Sequence, residues 1–550
     1  MTANEADLAN STPPDDAAAG YSSRLSALRA RLVAPMPNDG IWGWIWPLVV
    51  TAFGGFLRFN RLAVPRAISF DETYYAKDAW SILQHGVEWN YVSNANTLIQ
   101  GGHTSNLFAA CSTAIDPTCH GEYVVQPEVG KLLIAVGEAI FGLNSFGWRF
   151  SSAVFGTLSI LLICRIARRM TRSTLLGCIA GLLMSLDGLE FVLSRTGILD
   201  IFLMFFVLAA FGCMVIDRDI ARERIAVAMS GRPTDERGPR LGIRKWRIVA
   251  GIMVGLAIGT KWDAVWYLFG FAILGTAWDV GTRRAAGLRS FIVGTFTRDV
   301  VWLPVTFILI PLVTYIATWS NWLLTSTGFD RNYAQLAGVR IPVISALYSL
   351  YEYHKEAIEF GVDLKVPHPY QSQPWDWLVM SRPVAFFYEC YTGPVPGPSH
   401  YCPSGYTGAS WSQEVLAIGT PAIWWGSIFA LIFCLGWWLL HRDWRAGAVL
   451  AGVIWGWFPW WPLVSRTKFL YYALEFEPFL ILSITLCLGL IIGQVAATPI
   501  RRAVGASIVG VYLLIVLIMF AYFYPIFAAK VIPYSDWLAH MWYRTGRGWI

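Results

Sequence analysis

The sequence predicts an all-α polytopic membrane protein, and three features of its 550 residues indicate that class. Hydrophobic residues make up 55% of the chain and charged residues only 14%, which is too little charge to keep the surface of a soluble domain in water. The 28 Trp and 23 Tyr residues suit a membrane protein, because amphipathic rings collect at membrane–water interfaces. Long apolar segments recur at lengths close to the ~20 residues that cross a bilayer.

Eleven apolar segments are candidate membrane-spanning helices, at about 42–62, 147–168, 173–190, 195–216, 247–261, 262–280, 301–319, 416–440, 446–464, 472–494 and 504–525. Lys and Arg residues collect in the connections that follow the even-numbered segments, as at Arg169, Arg218 and Arg284. Because basic loops stay in the cytoplasm, this pattern predicts a cytoplasmic N-terminus. These loops account for the net charge of +6, so no nucleic-acid partner is expected.

This topology places two long, base-poor loops outside, at about 63–146 and 320–415, together with a C-terminal tail at 526–550. Residues 1–40 are polar and lack the apolar core of a signal peptide, which predicts a disordered cytoplasmic tail.

The short apolar stretch Val129–Gly142 is not counted as a crossing. It spans only about 14 residues, and counting it would move the later arginine clusters to the outside. The first outer loop is therefore expected to carry two surface helices, at about 70–85 and 127–141.

Four of the nine cysteines fall in the predicted outer loops, as the local pairs Cys111 with Cys119 and Cys390 with Cys402. In an oxidising space such pairs favour two short disulfides, with free thiols as the alternative. The other five lie in or beside apolar segments, where a thiol is a small hydrophobe.

Two adjacent carboxylates, Asp71 and Glu72, follow the first apolar segment. Ser69 and Glu72 have the spacing of a helix capping box, which gives Glu72 a structural explanation. A first-turn Asp gains only ~0.3–1 kcal/mol from the helix dipole, so Asp71 is explained less well. Since neighbouring residues do not share a helix face, we expect at most one of the pair to point at a reacting atom.

Six motifs, in chain order, resemble those of the protein O-mannosyltransferases. They are Phe70-Asp71-Glu72-Thr73-Tyr74-Tyr75, Gln126-Pro127-Glu128-Val129-Gly130-Lys131-Leu132, Phe146-Gly147-Trp148-Arg149-Phe150, Ser194-Arg195-Thr196-Gly197-Ile198-Leu199-Asp200, His368-Pro369-Tyr370-Gln371-Ser372 and Ser465-Arg466-Thr467-Lys468-Phe469-Leu470-Tyr471-Tyr472. The match runs from about residue 42 to 525, and the length resembles the actinobacterial branch. Gln126 stands where the family typically has His, so no acid–base role is assigned there.

The resemblance implies a GT-C type glycosyltransferase with its membrane-embedded catalytic domain at 41–525. Such an enzyme transfers mannose from polyprenyl-phosphate-mannose to Ser or Thr hydroxyls of exported proteins, with inversion. Asp71 is then the general base, worth about 10²–10⁴ in rate, and Glu72 orients it or contacts the acceptor. The implied partners are the donor lipid, the secreted polypeptide and membrane lipids, with the secretion translocon as a further candidate. The resemblance also implies the plasma membrane, with the site facing the cell exterior.

A departing lipid phosphate requires positive charge aimed at its oxygens. The candidates predicted at the outer interface are Arg149, Arg195, Lys131, Arg466 and Lys468. The alternative is that these cations snorkel to lipid headgroups. Supporting positions are Asp200, which needs a partner or a cavity inside the membrane, and Gln126, Tyr471, Tyr472 and His368, the last either acceptor-binding or structural.

No cofactor is expected. Mg²⁺ or Mn²⁺ would require several oxygen ligands, and Asp71-Glu72 lacks the spaced acidic motif that holds such an ion in related transferases. Metal independence is favoured, with a divalent cation as the alternative.

Two other functions compete with protein mannosylation. One is a transferase of the same class that glycosylates a glycolipid or wall polymer. The other is a transporter, against which the sequence has no clear repeat of broken helices in its two halves.

Overall fold

The structure is a computed structural model that describes residues 15–109, 121–231, 235–339, 341–402, 408–493, 497–543 and 548–549. The helices of its first half are α1 (Asp15–Leu32), α2 (Trp42–Phe59), α3 (Glu72–His85), α4 (Ala95–Gln100), α5 (Glu128–Phe141), α6 (Ser145–Thr171), α7 (Thr174–Ser185), α8 (Gly188–Leu193), α9 (Asp200–Ser230), α10 (Lys245–Ile258) and α11 (Val265–Ala285).

The helices of the second half are α12 (Phe291–Arg298), α13 (Ile310–Thr318), α14 (Ser320–Leu324), α15 (Tyr333–Leu336), α16 (Pro342–Asp363), α17 (Pro374–Trp377), α18 (Pro421–His441), α19 (Trp444–Trp457), α20 (Glu477–Ile492), α21 (Pro499–Phe527) and α22 (Tyr534–His540). Three short strands accompany them: β1 (Val384–Tyr391), β2 (Trp411–Ala417) and β3 (Val531–Pro533).

Six helical segments in the described part of the chain are long and apolar enough to cross a membrane: Ser145–Thr171, Asp200–Ser230, Trp262–Ala285, Phe291–Thr318, Pro421–His441 and Pro499–Phe527. The chain is therefore a multi-pass membrane protein. Each of the eleven predicted segments overlaps a helix, but several are short, and α7 has only 12 residues. The count of eleven crossings stays a prediction.

Burial separates the central helices from the outer ones. Helices α9 and α20 are apolar and largely buried, so they form the core of the bundle. Helix α21 is equally apolar, yet its Val504, Ile508 and Val511 side chains are exposed. An apolar helix face without protein neighbours suits contact with lipid chains.

Ion pairs connect the helices at the end of the bundle where α9 ends. Arg244 Nε donates to Asp217 Oδ1 over 2.8 Å, and Arg247 Nη1 donates to Asp279 Oδ2 over 2.9 Å. These pairs tie α9, α10 and α11 together. Part of the arginine excess in the predicted cytoplasmic loops is thus buried and paired.

Helices are present at both positions predicted for the first outer loop, as α3 and α5, with the short α4 between them. The second outer loop differs from the all-α expectation. There β1 and β2 pair antiparallel, and β3 adds to β2 as an edge strand, with Ser412 opposite Ile532. The fold is mostly helical, with this one small sheet in the described residues.

The sheet also places the cysteines of the second loop and the C-terminal segment. A disulfide joins Cys390 and Cys402, whose Cα atoms are 5.5 Å apart, whereas Cys111 and Cys119 lie outside the described residues. The predicted outer tail 526–550 is not a simple tail. It contributes β3, and Trp549 Nε1 donates to the Met380 carbonyl over 2.8 Å.

The N-terminal expectation is corrected as well. Residues 15–32, predicted as part of a disordered tail, form helix α1. Leu32 is buried against Ala221 and Ile225 of α9, and Arg29 Nε donates to Glu223 Oε1 over 2.8 Å. The apolar residues Leu25, Leu28 and Leu32, spaced by three and four, give α1 one face that packs on α9.

Candidate active site

The chain between α2 and α3 makes a tight turn that presents Asp71 and Glu72. Phe70 has φ of +49°, a left-handed conformation that costs a bulky residue ~1–2 kcal/mol. Aromatic neighbours hold it there: its ring stacks on Phe386 at 5.0 Å and meets the Tyr471 ring edge-on at 5.8 Å. This turn sends the two adjacent carboxylates into different surroundings.

Glu72 is fully buried and every contact it makes is structural. Its Oε1 accepts from Arg149 Nε at 2.7 Å and from the Gly197 amide at 2.9 Å. Its Oε2 accepts from Arg149 Nη2 and from the Ser69 amide, each at 2.8 Å. The back-bond to Ser69 is the half of the predicted capping box that forms, because the Ser69 hydroxyl accepts from Arg149 instead.

Arg149 holds the α2–α3 connection rather than facing a cavity. Besides Glu72, its guanidinium donates to the carbonyls of Leu62, Pro65 and Ala67. Asn144 caps α6 through the Phe146 and Gly147 amides and so fixes the turn of helix that carries Arg149. All of its nitrogens are engaged, which leaves no N–H for a donor phosphate.

Two further predicted phosphate ligands are also engaged in structural contacts. Arg195 donates to the carbonyls of Arg58 (2.7 Å), Asn60 (2.6 Å) and Arg61 (3.0 Å), which completes the C-terminus of α2. Lys131 is buried and forms an ion pair with Glu88. We refer to Glu72, Arg149 and Arg195 together as the clamp.

Asp71 has a different environment. Its Oδ2 accepts the Tyr471 hydroxyl over 3.1 Å, and its Oδ1 has no hydrogen-bond partner among the residues that the structure describes. Burial, with the Asp200 charge adding to it, raises the pKa of Asp71 to about 6. A carboxylate with one free oxygen and a pKa near neutrality suits a general base.

A cavity of about 330 Å³, within the range of small-molecule pockets, is lined by Lys261, whose charge acts on Asp71, although Asp71 itself does not line it. The pair Tyr471–Tyr472 links the two features: Tyr471 bonds Asp71, and the next residue, Tyr472, lines the cavity. The remaining polar walls include Gln126, Lys261 and Arg466.

Lys261 connects the cavity to Asp200. Its Nζ is 2.9 Å from Asp200 Oδ1 and 3.9 Å from Asp263 Oδ2, and it lies 4.1 Å from the centre of the Tyr472 ring. The partner that Asp200 needs inside the membrane is thus Lys261. Lys261 also interrupts the long apolar run 247–280, and that interruption was the one sequence signal for this missed residue.

Arg466 and Lys468, both from the motif at 465–472, differ in how fully their nitrogens are hydrogen-bonded. Arg466 Nε donates to the Gly361 carbonyl over 2.7 Å, while its Nη1 has no partner within the described chain. Lys468 is buried and donates to the Leu463 carbonyl, and burial beside Arg466 lowers the pKa of Lys468 to about 8. Among the predicted phosphate ligands, Arg466 is therefore the one that lines the cavity and also keeps a nitrogen without a partner in the described residues.

His368 belongs to the aromatic support of the turn. Its ring meets Phe469 edge-on at 5.0 Å and Phe70 at 6.3 Å, and its Nδ1 accepts from the Tyr370 amide. Of its two predicted roles, this arrangement favours the structural one.

The fold is that of a membrane glycosyltransferase. It matches the structure of the S. cerevisiae protein O-mannosyltransferase Pmt1–Pmt2 complex bound to the sugar donor with a TM-score of 0.68, at 13% identity, over 96% of this chain and 94% of that chain. This likeness confirms the predicted GT-C fold class.

Sequence comparisons identify the family. Residues 126–323 match the family model of dolichyl-phosphate-mannose-protein mannosyltransferase, and residues 346–546 match the C-terminal four TMM region of protein-O-mannosyltransferase. Relatives named polyprenol-phosphate-mannose–protein mannosyltransferase share 36% identity in Mycobacterium tuberculosis (93% of each chain) and 37% in Mycolicibacterium smegmatis (93% of this chain, 94% of the relative). The chain belongs to the protein O-mannosyltransferase family.

Proposed function

We propose that this enzyme transfers mannose from polyprenyl-phosphate-mannose to Ser or Thr hydroxyls of exported proteins, with Asp71 as the general base. The observation that carries the proposal is the contrast within the acidic pair. Both oxygens of Glu72 are taken up by Arg149 and backbone amides, whereas Asp71 keeps one oxygen without a hydrogen-bond partner among the described residues. The names and sequence identity of the relatives support the donor and the acceptor class.

The proposed step is a single displacement. The acceptor hydroxyl oxygen forms a bond to the anomeric carbon of mannose while the bond from that carbon to the phosphate oxygen breaks. The hydroxyl proton passes to Asp71 Oδ1, and the electron pair of the broken bond leaves with the polyprenyl phosphate. Attack opposite the leaving group inverts the anomeric carbon.

Arg466 is the proposed contact for the leaving phosphate. Its Nη1 has no partner in the described residues, and a guanidinium binds phosphate oxygens through charge-assisted hydrogen bonds. Lys261 adds positive charge to the same cavity, although Asp200 already pairs with it. In this proposal Arg149, Arg195, Lys131 and Lys468 serve the fold, not the phosphate.

We also infer that transfer needs no divalent metal. Both oxygens of Glu72 already accept two N–H donors each, so this carboxylate has little capacity left for a cation. Within the described ranges no three His, Cys, Asp or Glu side chains form a group that could hold a metal. Equal activity in EDTA and in excess Mn²⁺ is the expected result.

The location follows from the charge distribution. Arg169, Arg172 and Arg218 lie together at the end of α6 opposite the clamp, which favours a cytoplasmic assignment for that end and an outward-facing site. The plasma membrane and an acceptor delivered by the secretion translocon are part of this proposal. An impermeant thiol reagent applied to whole cells should label a cysteine at Arg66 and not one at Arg289.

The test is a transfer assay with purified protein, labelled polyprenyl-phosphate-mannose and a Ser/Thr peptide. Labelled peptide, absent when the peptide carries Ala and Val instead, is the expected outcome. Label in a glycolipid acceptor with none in the peptide would favour the other transferase class. Uptake of substrate into proteoliposomes without any transfer would favour a transporter.

A further inference from the structure

A groove lies at the end of the helix bundle farthest from Asp71. Helix α6 begins beside the clamp and has 27 residues, so at 1.5 Å per residue it ends about 40 Å away. At that end Arg172, Arg445, Arg502 and Trp437 line a cavity of about 580 Å³. No carboxylate in the described part of the chain lines this cavity.

Positive charge is in excess around it. Asp219 alone accepts from three arginines, with N–O distances of 2.9 Å to Arg169, 2.8 Å to Arg172 and 3.4 Å to Arg218. Arg445 pairs with Asp443 over 2.6 Å. Arg502 is exposed, and its side chain has no partner among the described residues.

The groove continues as a largely apolar surface that also includes His441 and Arg501. Two depressions, of about 490 and 450 Å³, adjoin the basic cavity along α18 and α20. Both contain Phe433 and Leu490, and the first shares Trp437 and Leu490 with the basic cavity. Phe433 and Leu490 are exposed, on helices that belong to the apolar bundle.

The geometry points to a binding site for an anionic phospholipid. The headgroup phosphate lies among Arg172, Arg445 and Arg502, and each apolar depression takes one acyl chain. Arginines that outnumber the carboxylates at the end of a membrane helix attract anionic headgroups, and guanidinium groups bind phosphate oxygens directly. A neutral headgroup would leave the excess charge uncompensated, so the site discriminates between headgroups.

The test measures lipid binding to the purified full-length protein by native mass spectrometry and by thermal stabilisation. We expect phosphatidylglycerol to bind and to raise the melting temperature, and phosphatidylcholine of the same chains to do neither. Arg502→Gln should weaken phosphatidylglycerol binding about fivefold, the change expected for one basic residue beside an anionic lipid. Gly436→Leu should block phosphatidylglycerol binding. Gly436 lines the groove, and a Cβ there meets no protein atom within 4 Å, so the leucine side chain fits without disturbing the fold and occupies the groove.

Two matched controls separate the site from general effects. Arg289→Gln removes an exposed arginine at the same end of the bundle, and Gly510→Leu adds the same side chain to an open position of α21. Both should bind phosphatidylglycerol like the parent. Equal binding of phosphatidylcholine, preferential binding of polyprenyl phosphate, or equal losses in the controls would each overturn the inference.

Discussion

Two polar regions meet at the Asp71–Glu72 turn, and they differ in how completely their groups are paired. In the clamp, every side-chain oxygen of Glu72 and every guanidinium nitrogen of Arg149 is hydrogen-bonded, to each other, to the backbone or to the Ser69 hydroxyl. On the cavity side, Asp71 Oδ1 and Arg466 Nη1 have no partner in the described residues. Both regions are formed by motifs of the same family and by the same residue types.

The difference in pairing distinguishes residues that stabilise the fold from residues that can act on the substrate. A buried charge that lacks a partner costs several kcal/mol, so a fully paired set stabilises one arrangement of the chain. A group that keeps a free oxygen or N–H can bind a substrate atom without first breaking a contact. The clamp therefore fixes the turn, and the cavity side is left with the reacting groups.

The largest effect is expected from Asp71→Asn, which keeps the shape and removes the base. Transfer should fall by about 10²–10⁴, the usual worth of a general base. The measurement is the peptide transfer assay at pH 7.5 with purified enzyme. Expression and melting temperature should not fall, and near-parental transfer would remove Asp71 from the proposed role.

Arg149→Met should act on folding instead of on the chemical step. It leaves the Glu72 carboxylate buried without its ion pair, which costs ~3–5 kcal/mol. We expect a large fall in melting temperature and in yield, measured in detergent. Arg66→Met is the matched control, because Arg66 lies exposed in the same connection, and it should behave like the parent. A stable Arg149→Met protein that is merely inactive would place Arg149 at the substrate.

Arg466→Gln should reduce transfer about 10- to 100-fold, the loss expected for one charge-assisted hydrogen bond of ~1.5–3 kcal/mol. Its melting temperature should change little, because Arg466 makes a single hydrogen bond in the described chain, to Gly361. Kinetics with varied donor concentration provide the measurement. Lys355→Gln, an exposed change in α16, is the control. An unchanged rate would show that another cation contacts the phosphate.

Much of the fold could be predicted because it follows from local signals. Apolar length located the six helical segments that are long enough to cross a membrane, and the short stretch 129–142 forms a helix, α5, whose position on the outer surface stays a prediction. In the small sheet, the pairing of β2 with β3 could not be predicted, because it joins strands more than a hundred residues apart and no local pattern encodes it. Helix α1 was missed because its apolar face is narrow and is stabilised by packing on α9.

The site was harder to predict than the fold. The motifs named the charged residues, but a sequence does not show which of two cations finds a partner. Arg149 and Arg466 look equivalent as family arginines, and only the backbone path of 62–72 decides that the first is consumed. Lys261 was missed because it lies outside the six motifs, so no motif in the sequence singled it out as a site residue.

The smallest effect expected is a pH dependence of the transfer rate, which should come from Asp71 and not from the clamp. With the pKa of Asp71 raised to about 6, the base is protonated at pH 5, and transfer should be about tenfold slower there than at pH 7.5. The residual rate of Asp71→Asn should not follow this profile. A parental rate that stays flat from pH 7.5 to 5 would contradict the assignment.

The same raised pKa has a consequence for stability, and its sign is opposite to that of activity. Because the folded state holds the charged Asp71 less well than the unfolded state does, this residue costs almost nothing below about pH 4, destabilises increasingly as the pH rises from 4 to 6, and reaches its full cost above pH 6. The free energy of unfolding of Asp71→Asn should therefore exceed that of the parent at pH 7.5, by at most about 3 kcal/mol. This difference should vanish near pH 4. Asp71→Asn should thus lose activity and gain stability in this pH window. A change at a clamp residue such as Glu72 cannot give that result, because removing the Glu72 charge breaks its ion pair with Arg149.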